Sequence, residues 1–203
     1  MVTLALVVAN LVCFVVELSL GNGLDPFVRR WGLVPADAVE PAALVTLLTS
    51  TFLHAGWLHL LSNLLYLGVF GPPVERRLGA ARFAVLYLGS GLVGSLAYLL
   101  AQPGSAVPAI GASGAIAGLI AAHLVLYPGA TLGSLAPVVF LHVVESTPTL
   151  VLLVVWLASQ LLSGVASLIS TTGIAWWAHA GGFASGLTLA PMLRRRQFTS
   201  RGR

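Results

Sequence analysis

Two short stretches contain the residue types that nucleophilic catalysis needs. Gly111-Ala112-Ser113-Gly114 puts a serine at the start of an apolar segment, and His179 lies near the start of the last apolar segment. A serine hydroxyl becomes a nucleophile when a histidine within hydrogen-bond reach accepts its proton. The two residues are distant in sequence, so the segments that carry them must bring them together.

Two further polar residues have the spacing of a single helix face. His59 and Asn63 are four residues apart, so they project toward the same point. Their side chains could donate hydrogen bonds to a developing oxyanion, together with the backbone amide of Ser113 at a helix N-terminus. The reaction would also need a polar cavity that water can enter. We expect no cofactor and no metal.

Composition places these residues in a membrane. The chain is 58% hydrophobic and 8% charged, against about 25% charged residues in soluble domains. A spanning helix needs about 20 apolar residues, so 203 residues leave room for about five to seven spans. We predict an all-α polytopic membrane protein with a single domain over residues 1–193 and a basic tail over 194–203. The net charge of +4 comes from arginines at helix ends, which indicates orientation rather than a nucleic-acid partner.

The apolar pattern predicts six spans, at residues 2–21, 53–71, 81–101, 113–127, 147–163 and 174–193. The first span is expected to be retained, because it has no basic leader region. The connector over residues 21–51 contains three prolines and several charges and is predicted to lie in the interface. Residues 72–82 are predicted to form a short charged turn, and residues 131–145 a re-entrant or interfacial segment.

Arginine clusters predict the orientation of the spans. Arg76, Arg77 and Arg82 follow span two and Arg194 to Arg196 follow span six, so both clusters and both termini are expected in the cytoplasm. Spans two, four and six then run in the same direction. Ser113 opens span four, His179 lies about one and a half turns into span six, and the first half of span two carries His54, His59 and Asn63. These side chains would gather in the outer leaflet, whereas His123 and His142 would lie near the inner side.

Catalysis by a dyad rather than a triad follows from the positions of the acids. Asp25, Asp37 and Glu40 lie in the first connector, Glu17 in span one, and Glu75 and Glu145 on the inner side. None is expected in spans two, four or six, so no carboxylate would orient His179.

Each of these residues also has a purely structural interpretation. Gly114-x-x-x-Gly118 and Gly182-x-x-x-Gly186 are typical helix-contact motifs, and polar side chains in membranes often bridge helices. His179, however, shares its helix face with Gly182 and Gly186. Contact between the two glycine faces would therefore carry His179 toward Ser113.

Together these motifs resemble the rhomboid family of intramembrane serine proteases. The matching elements are His54-x-x-x-x-His59-x-x-x-Asn63, Gly111-x-Ser113-Gly114 and Ala178-His179-x-x-Gly182-x-x-x-Gly186, in order on spans two, four and six. The resemblance covers residues 1–193 and implies a six-helix bundle with Ser113 as nucleophile, His179 as general base, and His59 and Asn63 supporting the oxyanion. It implies cleavage of peptide bonds in or beside transmembrane helices of other membrane proteins.

The chain departs from the family pattern at two places. Val45-Thr46 stands where many rhomboids carry a Trp-Arg pair, and Ala117 stands where an aromatic residue often stacks on the histidine.

The alternative function is that of a catalytically inactive relative that binds membrane clients, although that class typically loses the serine or the histidine. A small transporter is a third possibility, but it predicts internal repeats and polar residues through the full membrane depth. Richness in alanine and arginine without lysine favours a bacterial inner-membrane protein; the substrate and the oligomeric state are left open.

Overall fold

The computed structural model describes residues 1–37, 44–130, 151 and 175–194. In these ranges the chain forms a bundle of α-helices, joined by short 3-10 turns and a single β-bridge between Leu33 and Ala109. The helices are α1 (Val2–Ser19), α2 (Leu24–Trp31), α3 (Thr46–Thr49), α4 (Trp57–Leu78), α5 (Ala80–Ala101), α6 (Ser113–Leu126) and α7 (Trp176–Leu193).

The outside of the bundle is apolar, as the composition requires. Large aliphatic side chains of α1, α4 and α5 are exposed, among them Leu4, Val15, Leu58, Leu65 and Leu100. Among the described residues, α1 and α5 are each long and apolar enough to cross a membrane. A third span is added if Thr46–Phe52 and α4, which meet at 97°, cross it as one bent unit. The predicted all-α membrane bundle is confirmed, while the count of six spans is not tested.

Glycines allow the three central helices to approach closely. A Cβ atom added at Gly182 would overlap the carbonyl oxygen of Gly114, and one added at Gly186 would overlap that of Gly118. Gly94 of α5 packs against the backbone of α7, because a Cβ atom added at Gly94 would lie 2.6 Å from the Ala178 carbonyl oxygen. Small residues let membrane helices pack backbone to backbone. The predicted contact between the glycine faces of α6 and α7 is therefore present.

The charged turn predicted for residues 72–82 is wrong. Pro72, Pro73 and Glu75 lie inside α4, which continues to Leu78 and ends at Gly79 with φ 85°. Burial explains the continuation, because Val74 and Leu78 are completely buried in the core. Prolines are tolerated in membrane helices where neighbouring elements satisfy the freed backbone groups.

Glu75 therefore lies in a helix and not in a loop. Its carboxylate accepts hydrogen bonds from the backbone amides of Val2 and Thr3 at 2.6 and 2.9 Å and from the Thr3 hydroxyl at 2.7 Å. These amides belong to the first turn of α1, where backbone donors have no intrahelical acceptor. The helix that carries predicted span two thus extends beyond residue 71 and includes Glu75, which joins the end of α4 to the start of α1.

The start of span two also differs from its prediction. Residues 53–56 precede α4, which begins at Trp57 after Gly56 with φ 154°. This backbone conformation favours glycine, and it interrupts the helical structure between Phe52 and Trp57. His54 therefore lies in a turn before the helix and not on it. The segments predicted at 131–145 and 147–163 lie outside the described residues apart from Val151, as does the tail beyond Arg194.

Candidate active site

The structure brings Ser113 and His179 into direct contact. The Ser113 hydroxyl oxygen lies 2.7 Å from His179 Nε2, across 66 residues of sequence. Ser113 is the first residue of α6, and His179 lies in the first turn of α7. The close packing of Gly114 against Ala178 sets this distance, because the two helices meet beside the pair. His179 is 8% exposed, while Ser113 is half-buried and can be reached from outside.

The strained turn before Ser113 holds the start of α6 in place. Gly111 has φ 119°, and its backbone N–H donates to the Ser50 carbonyl oxygen at 2.8 Å. That conformation is rarely adopted by a residue with a side chain. The turn presents the first backbone amides of α6, which have no intrahelical acceptor, beside the serine hydroxyl.

His59 reaches this turn from α4. Its Nδ1 accepts a hydrogen bond from the Ala55 backbone amide at 3.3 Å. In the neutral ring the proton must then be on Nε2, which makes that nitrogen a donor. A Cβ atom added at Gly111 would lie 2.6 Å from His59 Nε2, so this donor faces the turn that carries Ser113.

Asn63 lies one helical turn further along α4. It is 6% exposed, and its Nδ2 has no hydrogen-bond partner within the described part of the chain. A Cβ atom at Gly111 would lie 3.7 Å from the same nitrogen. An unsatisfied buried donor is costly, by about 1–3 kcal/mol. The amide of Asn63 is therefore available to an acceptor near Gly111.

Trp176 is a neighbour of the histidine that sequence reasoning did not identify. Its ring stands edge-on to the His179 ring, with centroids 5.7 Å apart and planes at 87°. Its spacing of three residues from His179 on one helix was a usable signal in the sequence. Ala117, which lacks an aromatic ring, is completely buried within α6. The aromatic contact to the histidine therefore comes from its own helix.

The remaining histidines lie in other surroundings. The His54 ring packs edge-on against His59, with centroids 5.2 Å apart, and its Nδ1 bonds to the Phe52 carbonyl oxygen at 3.2 Å. His123 is buried near the end of α6 between the rings of Phe70 and Tyr127. His142 lies outside the described residues. His54 thus supports the site from behind His59, and His123 belongs to the core.

A small cleft of about 20 Å³ opens beside Ser113. Most of its lining is small or hydroxyl-bearing, and includes Ser50, Thr51, Gly91, Ser95, Gly111 and Ala178. Hydroxyl groups in an otherwise apolar bundle give water hydrogen-bonding partners. The cleft therefore has room for about one water molecule next to the serine.

The fold and the site together define the class of this protein. It is an all-helical membrane bundle that holds a serine–histidine pair near one end of its central helices. The sequence profile of the Rhomboid domain matches residues 41–196, which is more than half of the chain. The chain belongs to the rhomboid family.

Several relatives are similar to this chain over parts of their length. The chain is 45% identical over 78 residues to the "Putative rhomboid protease YdcA" of Bacillus subtilis. The aligned residues are 38% of this chain and 39% of that protein. It is 35% identical over 114 residues to the "Rhomboid protease GluP" of the same organism, covering 56% and 22%. It is also 34% identical over 111 residues to the "Inactive rhomboid protein 1" of Drosophila melanogaster, covering 54% and 8%. The chain spans about two fifths or less of the length of these relatives.

Proposed function

We propose that this protein is an intramembrane serine endopeptidase that cleaves peptide bonds in or beside transmembrane helices of other membrane proteins. The observation that carries the proposal is the 2.7 Å separation between the Ser113 hydroxyl and His179 Nε2. A nucleophile and a base at this distance meet the geometric requirement for general-base catalysis. The apolar outer surface of the bundle fits a substrate that arrives through the lipid.

In the first half of the reaction His179 Nε2 accepts the proton of the Ser113 hydroxyl. The serine oxygen bonds to the carbonyl carbon of the scissile peptide, and the carbonyl electrons move to its oxygen. The donors available to this oxyanion are the Ser113 backbone amide, Asn63 Nδ2 and His59 Nε2. Donors that are already oriented stabilise the developing charge without reorganisation during the reaction.

Collapse of the tetrahedral intermediate breaks the carbon–nitrogen bond. The protonated His179 gives its proton to the leaving amine, and the serine remains as an ester of the new carboxyl end. Water then attacks this ester, with His179 again accepting a proton, and the second tetrahedral intermediate releases the acid and the serine. The hydroxyl-lined cleft beside Ser113 is suited to hold that water.

The substrate must expose its backbone to Ser113. A transmembrane helix satisfies its own hydrogen bonds, so cleavage needs a segment that unwinds. We expect clients with glycine, proline or other helix-breaking residues near the cleavage site. A panel of single-span membrane proteins with and without such residues, incubated with the full chain in liposomes, tests this expectation.

Labelling of the serine separates a protease from an inactive relative. In detergent, a serine-directed phosphonate or isocoumarin should modify the wild-type protein at Ser113, because His179 raises the nucleophilicity of its hydroxyl. Ser113→Ala and His179→Ala should each abolish labelling and cleavage while leaving the thermal unfolding temperature within a few degrees. Labelling that persists in either variant would contradict the proposal. A wild-type chain that neither reacts nor cleaves any member of the panel would support the inactive alternative.

A further inference from the structure

Glu17 is an acidic residue buried within an apolar helix. It lies on α1 and is 3% exposed, although α1 has no other charged residue. A buried polar group in a membrane protein is costly unless it is hydrogen-bonded. We therefore expect the Glu17 side chain to have hydrogen-bond partners that contribute to the fold or to the site.

The carboxylate of Glu17 binds the turn that precedes α4. The His54 backbone N–H donates to both of its oxygens, each at 3.1 Å. A second contact joins the same two elements, because the Phe14 ring packs edge-on against Trp57 with centroids 4.9 Å apart. Phe14 and Glu17 are three residues apart, so one face of α1 holds the turn at both of its ends.

This turn also orients His59. The residue after His54 is Ala55, whose backbone amide donates to His59 Nδ1 at 3.3 Å. The contact leaves the proton of the neutral ring on Nε2, the nitrogen that faces Gly111. A continuous set of contacts therefore runs from Glu17 through the backbone of residues 54–55 to the ring of His59.

We infer that Glu17 is a positioning residue, which acts on the reaction by holding the turn that aims His59 Nε2 at the oxyanion. The inference rests on the proposed proteolytic function. A donor must stay within about 0.5 Å of its productive place to stabilise the transition state. The turn contains Gly56 in a conformation with φ 154° and has no regular secondary structure, so it needs an external contact to stay in place.

Substitutions of Glu17 test this role through kcat, KM and thermal unfolding in detergent. Glu17→Leu should lower kcat by about tenfold to a hundredfold, less than the loss of a complete oxyanion donor, with little change in KM. Glu17→Gln keeps an acceptor oxygen and should stay within about threefold of wild type. Glu75→Leu is the matched control, since it removes a buried carboxylate that also binds the backbone of another helix. It should lower thermal stability but leave the kcat of the folded protein unchanged.

A second pair of variants tests the same contacts without altering a buried acidic residue. Ala55→Pro removes the amide that orients His59, whereas Ala55→Gly keeps it. Ala55→Pro should reproduce the loss of kcat, and Ala55→Gly should not. This pair also decides the question if Glu17→Leu does not fold.

A double-mutant cycle distinguishes positioning from general destabilisation. If Glu17 acts through His59, Glu17→Leu and Ala55→Pro should lower kcat in the wild-type chain but have no further effect in His59→Ala. Equal losses in both backgrounds, or wild-type rates in Glu17→Leu and Ala55→Pro, would overturn the inference while leaving the protease proposal intact. Absence of any cleavage by the wild-type chain would instead overturn the proposed function itself.

Discussion

At the scale of single residues, the site is defined by two polar side chains beside Gly111, the buried Asn63 and the half-buried His59. Asn63 keeps an unpartnered amide in the described structure, and His59 is oriented by a backbone amide so that its free nitrogen faces Gly111. A stable core would pair or remove such groups. Their persistence beside Ser113 favours a role in binding a transient negative charge.

Removing either side-chain donor should slow turnover more than it weakens substrate binding. Loss of one oxyanion donor costs about 10²–10³ in kcat in a soluble serine protease. We expect Asn63→Ala to lower kcat in this range with little change in KM, and His59→Ala to do the same or more. Steady-state cleavage in liposomes measures both constants.

The control for these two variants is a buried histidine away from the serine. His123→Leu should alter thermal stability but leave kcat unchanged, because His123 packs between Phe70 and Tyr127. Unchanged rates in both Asn63→Ala and His59→Ala would show that the backbone amides alone hold the oxyanion.

At the scale of helices, close backbone contact between α6 and α7 is the feature that positions the serine–histidine pair. Gly114 and Gly118 of α6 meet Gly182 and Gly186 of α7, while Gly94 and Gly181 bring α5 against α7. A Cβ atom at Gly94, Gly181, Gly182 or Gly186 would come within 3.0 Å of a backbone atom of the neighbouring helix. The distance between Ser113 and His179 therefore depends on residues that take no part in the chemistry.

A methyl group in this contact should separate the two helices. Gly182→Ala places a Cβ against the Gly114 carbonyl, and overpacking of this kind costs about 1–3 kcal/mol. We expect a lower unfolding temperature and slower labelling of Ser113 by a phosphonate. Gly68→Ala is the matched control, because a Cβ there meets nothing within 4 Å. It should match or slightly exceed wild-type stability, since alanine favours helix more than glycine does. Wild-type stability and labelling in Gly182→Ala would contradict this account of the packing.

At the scale of the whole molecule, the apolar exterior and the arginine clusters together predict how the chain sits in the membrane. Arg76 and Arg77 lie in the last turn of α4, and Arg82 in the first turn of α5. Ser113 and His179 lie at the starts of α6 and α7. If arginines mark the cytoplasmic side, the site opens toward the opposite face.

Reporter fusions test this orientation. A reporter joined after Arg82 or after Arg196 should be active in the cytoplasm, and one inserted within residues 102–110 should be active on the external side. Expression of each fusion at equal levels, checked by immunoblot, is the control. An external reporter after Arg196 would place Ser113 and His179 near the inner leaflet and contradict the positive-inside assignment.

Some features of this protein could be predicted from its sequence because they depend on local order or on composition. Apolar content requires a helical membrane bundle, since helices satisfy their own backbone groups in lipid. The spacing of His59 and Asn63 places both on one helix face whatever their surroundings. The glycine patterns of α6 and α7 likewise predicted a close contact near Ser113 and His179.

Other features were decided only by contacts between segments distant in sequence. Pro72, Pro73 and the following charges indicate a turn, yet the helix continues because Val74 and Leu78 are buried and Glu75 binds the first turn of α1. Glu17 carries no local signal for a role near Ser113, because its partner is a backbone amide 37 residues away. The same holds for the 2.7 Å contact of Ser113 and His179, whose distance is set by how closely two helices approach. Local spacing determines which face a side chain occupies, but only tertiary packing determines what that face meets.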